Sequence, residues 1–139
     1  MVQPQSAPPL VVLTLQKRLV AMNVHTGQRV WEYEVRPVQG RLLVDQGLVV
    51  YFEYDTVHCL DYLTGALRWK AQIPKGLVPG MQNLLVFAGC VLVTAMGETV
   101  CLNAQNGAQL WHDPFKGYGP ISGPMAAPGV SAQIDWRHG

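Results

Sequence analysis

Three cysteines (Cys59, Cys90 and Cys101) and four histidines (His25, His58, His112 and His138) are the side chains of this 139-residue sequence most able to ligate a metal or serve as nucleophile and base. Their spacing argues against both. No Cys-x-x-Cys pair occurs, and no histidine stands at ligand spacing from a cysteine. His58 adjoins Cys59, but neighbours on a strand point to opposite faces, so they form no nucleophile–base pair. His112 follows Trp111 and is expected to project away from it, so both histidines read as surface or interface residues. The cysteines read as small buried fillers.

The nine carboxylates are scattered. Glu32 and Glu34 share a strand face with no acid–base geometry and read as edge protection. Gly117-Tyr118-Gly119 with Gly123 has the glycine density of a phosphate-binding loop. Pro120 and Pro124 remove amide donors there, and no helix follows. The segment is expected to be a crossing loop or linker, with Phe115 and Tyr118 available to a partner. The expected catalytic, cofactor-binding and metal-binding residues are therefore none, and no cofactor is expected.

Composition narrows the classes further. Charged residues make up 14% and hydrophobic residues 49%, which excludes a disordered chain, a coiled coil and a collagen-like repeat. A net charge of +1 without a basic stripe excludes a nucleic-acid-binding bias. No apolar run reaches the ~18 residues of a membrane span. A surface this poor in charge points to coverage by another chain.

The elements that position these residues emerge from an internal repeat. Ala21–Trp31, Cys59–Trp69 and Cys101–Trp111 align without gaps. The shared pattern is a small residue, a hydrophobe, Asn or Asp, two variable positions, Thr or Asn, Gly, three variable positions, Trp. The tryptophans lie 38 and 42 residues apart, near the ~40–45 of four-stranded propeller blades. Asn23, Asp61 and Asn103 can accept from turn amides. Gly27, Gly65 and Gly107 can take the positive φ of a tight hairpin. Trp31, Trp69 and Trp111 would lie between neighbouring sheets, with Ala21, Cys59 and Cys101 leaving room for the indole.

Alternation and turn residues predict strands at 10–15, 18–23 and 28–35 in the first repeat. In the second they fall at 41–45, 48–54, 57–61 and 66–72, and in the third at 83–87, 90–96, 98–103 and 108–112. The runs 48–54 and 90–96 are apolar on both faces, as inner strands buried on both sides must be. The expected organisation is a lead-in over 1–9, three repeats over 10–112 (10–35, 41–72 and 83–112), and a Gly/Pro-rich loop with a final strand over 113–139. That strand is Val130–Trp136. The first repeat lacks one strand and the tail has one to spare.

These residues resemble the quinoprotein (PQQ)-type β-propeller repeat family, shared by PQQ-dependent alcohol dehydrogenases and BamB-like proteins. Its tryptophan-docking sequence is Ala-x-Asp-x-x-Thr-Gly-x-x-x-Trp. Ala21, Asn23, Thr26, Gly27 and Trp31 match with one conservative change. Asp61, Thr64, Gly65 and Trp69 match with Cys59 for Ala, and Asn103, Gly107 and Trp111 match more loosely. The resemblance implies an all-β propeller of four-stranded antiparallel blades. Quinone-binding members use a central acidic calcium site and often a disulfide of adjacent cysteines, and this sequence has neither pattern.

Propellers close with about 4–8 blades, and three blades cannot. The expectation is a homodimer completing a six-bladed ring, with Val130–Trp136 exchanged into the partner's first blade; the alternatives are a fragment of a longer propeller and a different closure number, such as a larger ring or a binding partner's blade. The expected function is a non-catalytic binding or assembly module presenting a surface to a protein partner. The alternatives are a remnant of a quinoprotein dehydrogenase and a sensor binding a small molecule at the ring axis. Free thiols and an N-terminus without a basic residue before its first apolar run predict a cytoplasmic location, while the family resemblance makes the periplasm the alternative.

Overall fold

Turn residues cut each repeat into short strands, and strands are the regular elements of the computed structural model, which describes residues 8–36, 40–45, 47–73, 83–95, 97–118 and 124–132. The first sheet holds β1 (Leu10–Leu15), β2 (Arg18–Asn23) and β3 (Arg29–Glu34) in that order. The second holds β4 (Gly40–Asp45), β5 (Leu48–Glu53), β6 (Thr56–Asp61) and β7 (Leu67–Gln72). The third holds β8 (Asn83–Phe87), β9 (Cys90–Ala95), β10 (Glu98–Asn103) and β11 (Gln109–Asp113). All pairings are antiparallel between consecutive strands. These are three propeller blades, and among the described residues the first has no counterpart of the strand that β4 and β8 supply to the others.

Register repeats from blade to blade. Ala21 lies opposite Trp31, Cys59 opposite Trp69 and Cys101 opposite Trp111, and the pairing shifts by a bulge directly after each small residue. A small side chain thus stands beside each of these three indoles, and the bulge sharpens the local twist.

The inner strands explain the two-sided apolar runs. Along β5, Leu48, Val50 and Phe52 join the core shared with the third blade, where Leu84, Val86, Val91 and Val93 meet them. The alternate residues Val49 and Tyr51 join Val12, Leu19 and Trp31 of the first blade. Each fully buried Val, Leu or Phe contributes roughly 1.5–3 kcal/mol, so the inter-blade layers carry the stability.

The tail departs from expectation. Residues 113–129 were expected to be a loop before a single strand at 130–136. Instead, β12 (Met125–Ala127) pairs with β13 (Val130–Ala132) in a hairpin beside β8. The Pro128-Gly129 turn, with Gly129 at φ 83°, folds the segment back on itself. The tail therefore contributes two strands where one was expected, and residues 133–136 lie outside the described residues.

Candidate functional site

The repeat motif builds an inter-blade dock. In each hairpin the Asn or Asp side chain accepts turn amides. Asn23 Oδ1 takes His25 N at 2.9 Å, Asp61 Oδ2 takes Thr64 N at 3.0 Å, and Asn103 Oδ1 takes Gln105 N at 2.8 Å. These bonds present the following glycine to the neighbouring blade. A Cβ on Gly65 would stand 2.5 Å from Cδ2 of Trp31, and one on Gly107 would stand 2.5 Å from Cε3 of Trp69. Trp31 Nε1 donates to the Tyr62 carbonyl at 2.8 Å, and Trp69 Nε1 donates to that of Ala104 at 2.7 Å. Each accepting carbonyl lies three residues before its glycine. Each tryptophan thus locks its blade to the next one in the chain.

Trp111 breaks the series. It was expected between sheets, yet it is 47% exposed, against 8% for Trp31 and 7% for Trp69. Among the described residues no docking turn follows it. At the opposite end, a Cβ on Gly27 would meet nothing within 4 Å.

A polar cleft of about 750 Å³ opens between the first two blades, lined in part by Lys17, Tyr33, Arg36, Glu53, His58 and Lys70. Glu53 and His58 are buried at its floor. The Glu53 carboxylate accepts from His58 Nε2 at 2.9 Å, from Arg36 Nε at 3.2 Å and from the Arg36 amide at 3.0 Å. Tyr33 Oη lies 2.9 Å from His58 Nδ1. With the Glu53 carboxylate ionised beside Arg36, these bonds place the His58 proton on Nε2 and let Nδ1 accept from the tyrosine. Burial pushes His58 below its ordinary value, outweighing the hydrogen bond to Glu53, and Lys70 and Arg36 act in the same direction. Burial, with Glu53 behind it, raises Tyr33 above the usual phenol range. The network holds a neutral imidazole with both nitrogens engaged and a carboxylate neutralised by Arg36.

His58 therefore belongs to the interface between two blades of its own chain. Sequence reasoning passed over Glu53, although a charged residue inside an inner strand expected to be apolar on both faces was a usable signal. His112 Nε2 pairs with Glu98 Oε1 at 2.8 Å, half-buried on the third blade. Glu32 pairs with Arg18 at 3.6 Å and Arg29 at 3.9 Å on the outer strand, and Glu34 lines the cleft. His25 belongs to an exposed turn, and His138 lies outside the described residues.

Cys59 and Cys101 are buried, and burial pushes both thiols up to about 11. Cys90 is half-buried. Among the described residues, no cluster of three or more His, Cys, Asp or Glu could hold a metal, and no helix is long and apolar enough to cross a membrane. Phe115 and Tyr118 meet edge-to-face at 5.6 Å and are exposed, Tyr118 at 78%. Gly119, Pro120 and Gly123 lie outside the described residues. β4, β8 and the β12–β13 turn enclose a smaller cleft of about 290 Å³, where Asp45 is the charged residue of a lining otherwise made by Leu43, Val44, Leu85, Val86, Gly129 and Val130.

Comparison with known proteins agrees with this architecture. The sequence model described as outer membrane protein assembly factor BamB matches residues 53–130. The BamB of Burkholderia pseudomallei is 29% identical over 133 residues, covering 78% of this chain and 35% of that protein. This chain therefore spans about a third of the relative. Among solved structures, BamB from Moraxella catarrhalis superposes with a TM-score of 0.64 at 23% identity, covering 91% of this chain and 44% of the other. A quinohemoprotein alcohol dehydrogenase from Comamonas testosteroni gives 0.60 at 19% identity, over 76% of this chain and 19% of the other. At these identities the two structures share the propeller fold.

Proposed function

Because the chain belongs to the outer membrane protein assembly factor BamB family, we propose that it is a non-catalytic propeller module that pairs with a second copy and offers its surface to a protein partner in outer-membrane protein assembly. The unit that builds the ring is 10–112, and 113–139 is the exchanged arm. The periplasm is the compartment that fits this work, in place of the cytoplasmic location read from the free thiols.

The observation that carries the reading is the openness of both ends of the blade stack. On the first blade, Val11, Leu13 and Leu15 are exposed along β1, which has a partner on one edge alone among the described residues. On the third, Trp111 is exposed on β11. Unpaired edges and apolar end faces of this kind are normally covered. Two copies of three blades give a six-bladed ring, a normal closure number. Closure requires the β12–β13 hairpin to open, so that β13 pairs with β1 of the other copy. A ladder of three residue pairs opens at little cost. A non-catalytic role fits the cleft, whose histidine and carboxylate are spent on each other.

Light scattering behind a sizing column tests the ring: a mass of two chains is expected, and one chain at every concentration overturns it. Deleting 130–139 should then give monomers or aggregates. A photo-crosslinking residue in place of Lys17 or Lys70 at the cleft rim tests the partner in cells. An adduct with an outer-membrane assembly component is expected, and its absence from both positions overturns that part.

A further inference from the structure

The cleft between the first two blades has a charged floor that the repeat itself does not require. The offsets that align the three hairpins set His58 against Val20 in the first blade and Val100 in the third. They set Glu53, opposite Thr56, against Leu15, opposite Arg18, and Ala95, opposite Glu98. Both positions are apolar in two blades and polar in one. Burying a carboxylate and an imidazole is costly even when they are fully bonded, so the pair serves something other than the blade. Its bonds lead to Arg36. Glu53 accepts from the Arg36 amide and Nε, and Arg36 Nη2 donates to the Glu53 carbonyl, Asp55 Oδ1 and Thr56 Oγ1, each at 3.3 Å. The guanidinium also lies 5.4 Å from the centroid of the Tyr54 ring. The arginine is thereby fixed in place, while its Nη1 bonds to nothing among the described residues.

Two further cations line the cleft. Lys17 comes from the β1–β2 turn, and Lys70 lies opposite His58 in the ladder. Both are exposed, and neither ammonium has an ion-pair partner among the described residues. Of the carboxylates in the lining, Glu53 is committed to Arg36 and His58, and Glu34 follows Tyr33 on the other face of β3.

We propose that this cleft binds an acidic peptide segment of a protein partner, with Arg36 Nη1 taking one carboxylate and Lys17 and Lys70 holding its neighbours. This deepens the partner reading above and does not need the two-copy ring, because both walls come from one chain. An arginine held by buried partners loses little freedom on binding and recognises a carboxylate by its geometry. A polypeptide is the occupant because the cations are spread over two blades, further than one small acid reaches. Gln72, whose Nε2 donates to Asp55 at 3.1 Å, keeps its amide oxygen for a main-chain N–H.

Fluorescence anisotropy of a dye-labelled hexaglutamate peptide on the purified chain tests this, with hexaglutamine as the neutral counterpart. The glutamate peptide should bind at low salt and weaken as salt rises, and the glutamine peptide should not bind. Arg36→Gln should weaken binding at least about tenfold. The double variant Lys17→Gln, Lys70→Gln should weaken it at least about fivefold; it changes exposed, unpaired positions and so stays informative if Arg36→Gln fails to fold. Arg18→Gln with Arg29→Gln removes the same charge away from the cleft and should leave binding unchanged. Failure of the glutamate peptide to bind overturns the proposal, as does an equal loss in the Arg18 and Arg29 variant. Free glutarate binding as tightly as the peptide would make a small acid the occupant and overturn it too. If the peptide binds as expected but no outer-membrane assembly component crosslinks at the rim, the site stands and the partner named above fails. If that adduct forms and the peptide does not bind, the partner stands and this site is wrong.

Discussion

The Trp69 indole occupies the space that a side chain on Gly107 would need, with Cε3 2.5 Å from the position of the absent Cβ and Nε1 bonded to the Ala104 carbonyl at 2.7 Å. Two blades are joined there by one aromatic ring and one missing methyl. Trp69→Ala should cost about 3–5 kcal/mol of stability, the usual range for a core aromatic. In a single chain, Trp111→Ala should cost less than about 1 kcal/mol, because its indole is half exposed. Urea unfolding at a concentration where the protein is monomeric compares the two. Equal costs would mean that the docks do not hold the blades.

Gly107→Ala and Gly89→Ala separate steric filling from backbone strain. Both glycines have positive φ, 77° and 75°, but a Cβ at Gly89 meets nothing within 4 Å. Gly89→Ala should lower stability by the left-handed backbone cost of about 1–2 kcal/mol. Gly107→Ala should exceed it by at least about 1 kcal/mol, because the indole must also move. Thermal denaturation of the two variants side by side decides this.

His58 makes the fold sensitive to acid. Burial holds its folded value below the ordinary 6.5, so the unfolded chain takes up the proton first. Stability is then complete above about pH 6.5 and falls as pH drops from there through the folded value. The groups facing His58 are Glu53, Tyr33, Tyr51, Lys70 and Arg36. Urea midpoints at pH 7.5 and pH 5 should differ more for the wild type than for His58→Gln. An unchanged difference would remove His58 as the source.

Cys59 and Cys101 should be inert thiols. With both pushed up to about 11 by burial, roughly one in a thousand is thiolate at pH 8, and the thiolate is the reactive form. A chromogenic thiol reagent at pH 8 should label the half-buried Cys90 first and reach the other two on denaturation. Rapid labelling of three thiols in the native protein would contradict their burial.

Thr94 carries a buried hydroxyl, and its Oγ1 has no hydrogen-bond partner among the described residues. Thr94→Val removes the desolvated polar atom and keeps the shape, so stability should rise by about 1 kcal/mol. A lower urea midpoint in the variant would show that the hydroxyl has a partner in solution.

Much of this architecture was legible in the sequence, because a propeller blade is specified locally. Asn or Asp, Thr and Gly at fixed offsets make one turn wherever they occur, and the predicted strand limits in the three blades fall within one residue of those observed. The small residue before each turn stands opposite its tryptophan because antiparallel register follows from the turn. What escaped the sequence depends on which surface each face meets. Glu53 and His58 sit in strands buried on both sides, where period-two alternation does not tell one neighbouring blade from the other. Only the stacking brings them to Tyr33 and Arg36. The tail reads as one strand by alternation and becomes a hairpin because Pro128-Gly129 turns it back beside β8. Trp31, Trp69 and Trp111 share one local pattern, and two of them are buried while the third is exposed. An indole is buried by the blade that follows it, and that is decided in three dimensions.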